Sequence, residues 1–318
     1  MSEFLSVIDC GTNTFNLLIV EPGKGGDFRK IYNTRVSVRL GEGTINQGYI
    51  APLPFQRGLA AIESFVSEIK RYKVSTVLAF ATSAIRDATN GDEFVRLVYE
   101  KHGIKIQIID GNREASLIAY GVMAAVNTKN KRSLIMDIGG GSTEFIIIEK
   151  EKLLWKHSFD LGAARLLERF KPSEPLLPEE LEAIRAYLKL KLEPLIVEHS
   201  SLPCSELIGS SGAFDSVVEM IHGELEGEAF VENKTEYRID LNNYERISKR
   251  VAASTLEERR HIKGLVAMRV DMIVISCLMI DFILQELKLP EFRVSTYSLK
   301  EGALVDYLQN KSLTFEQQ

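Results

Sequence analysis

Two short segments of the sequence place an aspartate at the end of an apolar run and directly before small residues. The first is Val7–Asn13, which contains Asp9, and the second is Met136–Glu144, which contains Asp137. Small residues let a turn approach a phosphate closely and aim several backbone N–H groups at it, and an adjacent aspartate can bind the cation that neutralises the phosphate. Both segments therefore predict turns that bind phosphate.

The spacing of the two segments indicates a duplication. Asp137 follows Asp9 by 128 residues, and a second strand-like run follows each turn, at Thr14–Val20 and Thr143–Glu149. This pattern predicts two α/β lobes that face each other across a central cleft. Two unrelated hairpins are the alternative interpretation, because aspartate and glycine are common in ordinary turns.

Arg86 ends the segment Ala81–Arg86, which leaves another predicted strand. A guanidinium at the carboxyl edge of a strand can clasp phosphate oxygens with its fork of N–H groups. The alternative is a surface ion pair with Asp87 or Glu93. The residues by themselves favour neither interpretation.

Glu114 falls in the first turn of a predicted helix, after the strand that ends near Asp110. A glutamate in this position can polarise water as a general base. The alternative is a helix-start carboxylate that is stabilised by the helix dipole. A catalytic role and a structural role both remain open on sequence grounds.

Strand-like and helical runs alternate along the whole chain, which is typical of an α/β fold. In the first half we predict strands at 4–9, 15–20, 36–40, 77–81 and 104–109, and helices at 55–72, 92–101 and from a cap at Asn112 to 126. In the second half we predict strands at 134–137, 145–149, 153–159, 206–209 and 292–296, and helices at 179–198, after 210–212, at 265–287 and at 300–309. The predicted lobes are 1–125 and 126–310, with helix 300–309 returning to the first lobe and a frayed tail at 311–318.

Composition excludes several classes of protein. The chain has 318 residues, of which 45% are hydrophobic and 26% charged, as in an ordinary globular protein, and its net charge of −5 disfavours extended nucleic-acid binding. The apolar run at 272–280 is too short to cross a membrane, and the N-terminus lacks a signal-peptide pattern. Three widely spaced cysteines favour a cytoplasmic protein, and five scattered histidines disfavour zinc, so we expect any metal to be bound by oxygen.

Six segments, in this order, resemble the exopolyphosphatase and guanosine pentaphosphate phosphatase (Ppx/GppA) family. They are Asp9–Thr14, Ala81–Ala88, Gly111–Ala115, Asp137–Glu144, Leu161–Arg165 and Gly209–Gly212. The second and fourth segments together are not shared by sugar kinases or actin. The resemblance implies the two-lobed, actin-like α/β fold of the sugar kinase, heat-shock ATPase and ribonuclease H-like group, and magnesium-dependent hydrolysis of terminal phosphoanhydride bonds.

The resemblance also implies roles for individual residues. Glu114 would position or deprotonate the attacking water. Asp137 and Glu144 would hold Mg²⁺, for which Mn²⁺ can substitute. Asp9 would lie close to the metal or the phosphate. The remaining residues would contact the phosphate oxygens: Asn13, Arg86, Gly139, Gly140, Gly141, Ser142 and Ser211.

Three positions depart from the usual pattern of this family. Thr14 stands where serine is usual, Ala213 where threonine is common and Lys300 where arginine is common. These changes bear on substrate preference. The first hypothesis is a hydrolase that releases terminal orthophosphate from inorganic polyphosphate, and guanosine pentaphosphate, the pppGpp of the stringent response, is the main alternative substrate. A kinase or ATPase of the same fold and a non-catalytic polyphosphate or alarmone sensor are the other hypotheses. The oligomeric state is left open, with a homodimer as one alternative.

Overall fold

The computed structural model describes residues 4–23, 27–129, 131–225 and 234–310. The contacts among them divide the chain into two units. Unit 1 comprises the described residues up to Ala124 together with those from Ser298 onward, and unit 2 comprises Ala125–Tyr297. The tail predicted at 311–318 lies outside the described residues.

Unit 1 contains a mixed sheet of five strands. They are β1 (Leu5–Cys10), β2 (Thr14–Pro22), β3 (Phe28–Ser37), β4 (Thr76–Ala81) and β5 (Gln107–Ile108). Their order is β3-β2-β1-β4-β5; the first three in sequence are antiparallel neighbours, and β4 and β5 run parallel to β1. The carboxyl ends of β1, β4 and β5 therefore lie at the same edge of the sheet, where ligands bind in open α/β sheets.

Five helices accompany this sheet among the described residues. They are α1 (Pro52–Arg71), α2 (Ser83–Arg86), α3 (Gly91–His102), α4 (Gly111–Ala125) and the last helix of the chain, α12 (Leu299–Asn310). The helix α1 buries Ile62, Phe65 and Ile69, whose spacing places them on one face. Two glycines let α12 pack closely against α4, because a Cβ at Gly302 would lie 1.7 Å from the carbonyl oxygen of Leu117.

Unit 2 repeats the arrangement of unit 1 and adds one strand. Its strands are β6 (Arg132–Ile138), β7 (Thr143–Glu149), β8 (Lys152–Phe159), β9 (Glu206–Ser210), β10 (Glu236–Ile239) and β11 (Phe292–Ser295). The order is β10-β11-β9-β6-β7-β8, in which β6 to β8 form an antiparallel meander and β9 and β11 run parallel to β6. The α/β class predicted from the sequence is confirmed in both units.

A long apolar helix lies in the core of unit 2. The helices of this unit are α5 (Ala163–Phe170), α6 (Pro178–Lys191), α7 (Glu193–Ser201), α8 (Gly212–Glu224), α9 (Leu241–Ala252), α10 (Leu256–Arg260) and α11 (Ile273–Glu286). Residues 273–280 of α11 are all buried, which explains why this helix shows no polar face in the sequence. None of the helices that the structure describes is long and apolar enough to span a membrane.

Several predicted boundaries are wrong, and proline explains one of them. The helix predicted at 179–198 is two helices, α6 and α7, which meet at Leu192. Pro194 lies in the first turn of α7, where its missing N–H is tolerated, whereas it would interrupt a continuous helix. The helix predicted at 265–287 begins only at Ile273, after a short 3-10 turn at Ala267–Arg269.

Other differences arise where side chains or neighbouring segments take up the backbone hydrogen bonds. The strand predicted at 36–40 ends at Ser37, because residues 38–40 donate instead to the turn that follows β1. The strand predicted at 104–109 is only Gln107–Ile108. Asp110, rather than the predicted Asn112, caps α4: its Oδ1 accepts from the N–H of Arg113 at 2.7 Å.

Candidate active site

The turn between β6 and β7 turns its carbonyl groups toward the start of α5. Its own closing hydrogen bond runs from the N–H of Gly139 to the oxygen of Ser142, at 3.0 Å. The Gly139 carbonyl accepts from Ala163 N at 2.9 Å, and the Gly140 carbonyl accepts from Ala164 N at 3.0 Å and from Arg165 N at 3.1 Å. The Gly141 carbonyl accepts from Gly162 N at 3.3 Å and from the Arg165 side chain, through Nε, at 2.9 Å. The first residues of α5 thereby fix the orientation of the turn.

Gly162 is required for this close approach of two backbones. A Cβ at that position would lie 2.2 Å from the carbonyl carbon and oxygen of Gly140. Any side chain at Gly162 would therefore displace the turn from α5.

The N–H groups of the turn indicate that a ligand from outside the chain binds there. Within the described residues, the N–H groups of Gly140, Gly141 and Ser142 donate no hydrogen bond, although all three residues are buried. Buried backbone N–H groups in proteins nearly always have an acceptor. Three consecutive donors of this kind are suited to an anion such as phosphate.

Two buried carboxylates lie next to this turn. Asp137 and Glu144 are directly opposite each other in β6 and β7, and their exposed fractions are 7% and 1%. Directly opposite residues of antiparallel strands project from the same face of the sheet. Glu144 Oε1 accepts a hydrogen bond from the Ser158 hydroxyl at 2.6 Å.

This pair of carboxylates fits the partial coordination of a hard divalent cation. Mg²⁺ is commonly bound by one or two carboxylates, with phosphate oxygens and water completing its octahedron. Among the residues that the structure describes, no group of three or more His, Cys, Asp or Glu side chains could hold a metal. Asp137 and Glu144 would therefore supply two ligands and rely on a phosphate for others.

Ser211 lies beside the same edge of the sheet, after β9. It has a positive φ of 75°, an uncommon value for a serine, and its hydroxyl donates to the carbonyl oxygen of Ile138 at 3.2 Å. The guanidinium of Arg269 covers the next residue, since a Cβ at Gly212 would lie 1.8 Å from Arg269 Nη2. The structure thus brings Ser211 next to the end of β6 and places the Arg269 guanidinium, which was not predicted from the sequence, beside it.

The turn after β1 in unit 1 has the same construction. The N–H of Gly11 donates to the oxygen of Thr14 at 3.2 Å, as Gly139 does to Ser142. The carbonyls of Thr12 and Asn13 accept from the segment that follows β3: Leu40 N to Thr12 O at 2.7 Å, Val38 N and Arg39 N to Asn13 O at 2.9 and 3.0 Å. The repetition in the sequence therefore corresponds to a repeated turn, which places Asn13 as the counterpart of Gly141.

The two copies differ in the residue opposite the aspartate. Asn16 lies opposite Asp9 in β2, where unit 2 has Glu144 opposite Asp137. The Asn16 Nδ2 group donates to Asp9 Oδ2 at 3.0 Å. At this position unit 1 consequently has a carboxylate opposite an amide, whereas unit 2 has two carboxylates opposite each other.

Arg86 and Glu114 form an ion pair at the carboxyl edge of the unit 1 sheet. Arg86 ends α2, directly after β4, and its Nη1 donates to Glu114 Oε2 at 2.9 Å and to the Ile109 carbonyl at 3.1 Å. Its Nε also lies 3.4 Å from Asp87 Oδ1, so one of the two surface partners considered from the sequence is in contact. The Arg86 side chain is only 19% exposed, and it is therefore not an ordinary surface cation.

Glu114 is a buried carboxylate in the first turn of α4, with an exposed fraction of 7%. The neighbouring guanidinium favours its charged form by Coulomb attraction. A charged carboxylate held in one orientation can accept a proton from water. The helix-start position predicted from the sequence is thus combined with a specific cationic partner.

Cys10 lies at the same edge of the sheet and does not supply a nucleophile. Its side chain is fully buried, and this burial, together with the charge of Asp9, raises the pKa of the thiol well above its usual value. Cysteine is nucleophilic as the thiolate. Cys10 is therefore a packing residue beside the turn.

Comparison with known protein families matches residues 18–311 to the Ppx/GppA phosphatase family. This chain belongs to that family. Exopolyphosphatase 1 of Mycobacterium tuberculosis is 26% identical over 313 residues, which cover 97% of this chain and 89% of the relative. The crystal structure of an exopolyphosphatase from Cytophaga hutchinsonii is 36% identical, with a TM-score of 0.93 over 96% of this chain and 98% of the other.

A Ppx/GppA family member from Aquifex aeolicus shares the fold at lower identity. Its crystal structure is 20% identical and has a TM-score of 0.79, over 98% of this chain and 99% of the other. These similarities confirm the family resemblance inferred from the six segments and the actin-like α/β fold class.

Within this Ppx/GppA phosphatase, the structure groups the predicted site residues by unit. Asp137, Glu144 and Ser211 lie around the glycine turn of unit 2, whereas Asp9, Asn13, Arg86 and Glu114 lie at the corresponding edge of the unit 1 sheet. Ser158, Asn16 and Arg269 have no role predicted from the sequence. The only signal for Arg269 was a single arginine at the polar boundary of an apolar segment.

Proposed function

We propose that this protein releases terminal orthophosphate from inorganic polyphosphate by attack of water on the phosphoanhydride bond. The observation that carries the proposal is the row of three N–H groups, in the buried residues Gly140–Ser142, that donate no hydrogen bond within the described residues and lie next to the carboxylates of Asp137 and Glu144. A phosphate chain offers acceptors for the N–H groups and can share a divalent cation with the carboxylates. Exopolyphosphatase is also the activity for which the relatives from M. tuberculosis and C. hutchinsonii are named.

Glu114 is the general base in this proposal. As the oxygen of a water molecule forms its bond to the terminal phosphorus, the bridging P–O bond breaks and the proton of the water passes to Glu114. The products are orthophosphate and a chain one phosphate shorter. Phosphoryl transfer requires mainly positioning and charge neutralisation, so no covalent intermediate with the protein is needed.

Asp137 and Glu144 would hold Mg²⁺, or Mn²⁺ in its place, in the proposed reaction. The cation would neutralise negative charge on the phosphate. The protein contributes the fixed orientation of the two carboxylates, since both are buried and lie opposite each other in adjacent strands.

Arg86 has two tasks in this proposal. Its Nη1 orients the carboxylate of Glu114, and its guanidinium provides positive charge for phosphate oxygens at the carboxyl edge of β4. The contacts with Ile109 and Asp87 restrict its rotation. Arg86 can therefore orient the base and offer positive charge at the same edge of the unit 1 sheet.

Guanosine pentaphosphate is the alternative substrate, because it ends in the same phosphoanhydride linkage. Orthophosphate release by the purified full chain is measured side by side on short polyphosphate, long polyphosphate, guanosine pentaphosphate and ATP. We expect release from polyphosphate to exceed release from ATP, and the Glu114→Gln variant serves as control for contaminating phosphatases. Tight binding of polyphosphate without release of orthophosphate would instead support the sensor hypothesis, and preferential hydrolysis of ATP would support the ATPase hypothesis.

A further inference from the structure

We infer that Ser158 is a positioning residue for Glu144, and that its hydroxyl sets the affinity of unit 2 for a divalent cation. The inference rests on the proposed function, in which Glu144 is a metal ligand. Ser158 itself is not proposed to touch metal or substrate. It acts through the hydrogen bond from its Oγ to Glu144 Oε1, at 2.6 Å.

The strand register makes this contact specific. Glu144 in β7 lies directly opposite Ser158 in β8 and directly opposite Asp137 in β6. The three residues therefore form a row across three adjacent strands, and they project from the same face. Glu144 is in the middle, held on the β8 side by the serine, with the other carboxylate on the β6 side.

A buried carboxylate needs such a donor to keep one orientation. Glu144 is 1% exposed, so water cannot freely replace a lost hydrogen bond, and glutamate has rotatable side-chain bonds that would otherwise let its carboxylate turn. Partners that orient a ligand in this way typically contribute about 10- to 100-fold to metal affinity.

The same stretch of chain supports the neighbouring phosphate turn. The hydroxyl of Thr143, at the start of β7, donates a hydrogen bond to the carbonyl of Leu161 at 2.9 Å. The helix α5 begins two residues after Leu161, at Ala163, and its first residues donate to the glycine carbonyls of the turn. Residues 158–165 thus orient both a carboxylate and the turn. Ser158 is the member of this segment that contacts the proposed metal ligand.

Ser133 provides a matched control in the same sheet. Its hydroxyl donates to Glu206 Oε1 at 2.5 Å, and these two residues also lie opposite each other, in β6 and β9. This second serine–glutamate pair lies at the start of both strands, whereas Asp137 lies near the end of β6. Ser133→Ala therefore removes a serine–glutamate hydrogen bond of the same kind, away from the carboxylate pair.

The test is Mn²⁺ binding to the full chain without substrate, followed by electron paramagnetic resonance of the free ion. We expect Ser158→Ala to bind Mn²⁺ about 10- to 100-fold more weakly than the parent protein. Ser158→Thr, which keeps the hydroxyl and suits a strand, should remain within a few-fold of the parent, and so should Ser133→Ala. In a Glu144→Gln background, Ser158→Ala should have no further effect.

Two results would overturn the inference. One is a Ser158→Ala variant that binds Mn²⁺ within twofold of the parent protein, and the other is a parent protein that binds no Mn²⁺. Failure of the proposed function gives a different result, because a parent that binds Mn²⁺ with the expected dependence on Ser158 but releases no orthophosphate would contradict the hydrolase alone. Circular dichroism of each variant separates loss of metal binding from loss of folding.

Discussion

Arg86 and Glu114 form a hydrogen-bonded ion pair, with 2.9 Å between Arg86 Nη1 and Glu114 Oε2. The two side chains belong to different helices, α2 and α4, which both start at the carboxyl edge of the unit 1 sheet. The arginine is further held by the Ile109 carbonyl at 3.1 Å. The base of the proposed reaction is therefore oriented by the residue that we also expect to bind phosphate, and substitutions at either position should affect the chemical step.

Glu114→Gln should lower kcat by about 10²- to 10⁴-fold, which is the usual contribution of a general base. Glutamine preserves the shape of the side chain and can still contact Arg86, but it cannot accept the proton of the water. Orthophosphate release and polyphosphate binding are measured on the same preparation, and binding should be nearly unchanged. The control is Glu100→Gln, an exposed partner of Arg96 in an i,i+4 pair. A kcat within a few-fold of the parent would exclude Glu114 as the base.

Arg86→Ala should lower kcat/KM by roughly 10²-fold, a typical loss when one charged or hydrogen-bonding group that stabilises the transition state is removed. Arg86→Lys should recover only part of the activity, since an ammonium cannot donate to both Glu114 and phosphate with the geometry of a guanidinium. Steady-state kinetics on polyphosphate gives both values. Arg96→Ala is the control, because its side chain is 58% exposed. Parent-like kinetics in both Arg86 variants would leave this arginine a structural role only.

Asp137→Asn should raise the Mg²⁺ concentration that gives half-maximal activity, by about tenfold or more, since a neutral amide is a weaker ligand for a hard cation. Activity is titrated with Mg²⁺ after treatment with EDTA, which we expect to abolish hydrolysis in the parent. Asp240→Asn is a suitable control, because Asp240 caps α9 by accepting from Asn243 N at 2.9 Å and asparagine caps helices equally well. Full hydrolysis in excess EDTA would refute the metal requirement.

Lys30→Met should destabilise unit 1 by about 1–3 kcal/mol, the usual cost of removing a partner from a buried polar group. Lys30 Nζ donates to Glu301 Oε1 at 2.8 Å, and Glu301 is completely buried at the start of α12. Burial by itself would raise the pKa of Glu301, but the charges of Lys300 and Lys30 and the hydrogen bonds from Lys30 and Ser298 N hold it below its usual value. Urea unfolding at pH 7 measures the loss, and Lys101→Met, at an exposed pair with Glu63, is the control.

The lowered pKa of Glu301 also predicts how this contribution depends on pH. A carboxyl whose pKa is lower in the folded state stabilises the fold above its unfolded pKa of about 4.3, and the stabilisation is lost as the pH falls through the folded value. Without Lys30 the folded pKa of Glu301 rises, so the loss should begin at a higher pH than in the parent. Urea unfolding from pH 7 to pH 3 tests this, and parallel curves for the two proteins would contradict it.

Much of the candidate site was predictable because its residues are at strand ends and in turns. Apolar runs that stop at Asp9 and Asp137 locate the ends of β1 and β6, and the small residues after them specify turns. The 128-residue offset was sufficient to predict that the turns are equivalent. The structure shows the same closing hydrogen bond in both.

The contacts between side chains could not be predicted from the sequence. Arg86 meets Glu114 only because β4 and β5 are neighbours, and Ser158 meets Glu144 only in one register of β7 and β8. The strand β7 is buried at nearly every position, so its sequence lacks the alternation that would indicate a register. The start of α11 was predicted eight residues too early, because the apolar residues at 265–268 continue the apolar pattern of the helix although they precede it.

Asn16 gives the two copies of the turn different electrostatics. An amide in place of a second carboxylate leaves the unit 1 copy with one negative charge fewer than the unit 2 copy at the same register position. The Asp9 carboxylate accepts a hydrogen bond from the Asn16 amide, whereas Asp137 lies opposite a second carboxylate. If Asp137 and Glu144 hold a cation as proposed, a polyanion would meet more repulsion from this pair of carboxylates than from Asp9 alone until that cation is bound. In the proposed function, the unit 2 copy of the turn would thus depend on a metal to bind phosphate, whereas the unit 1 copy would not.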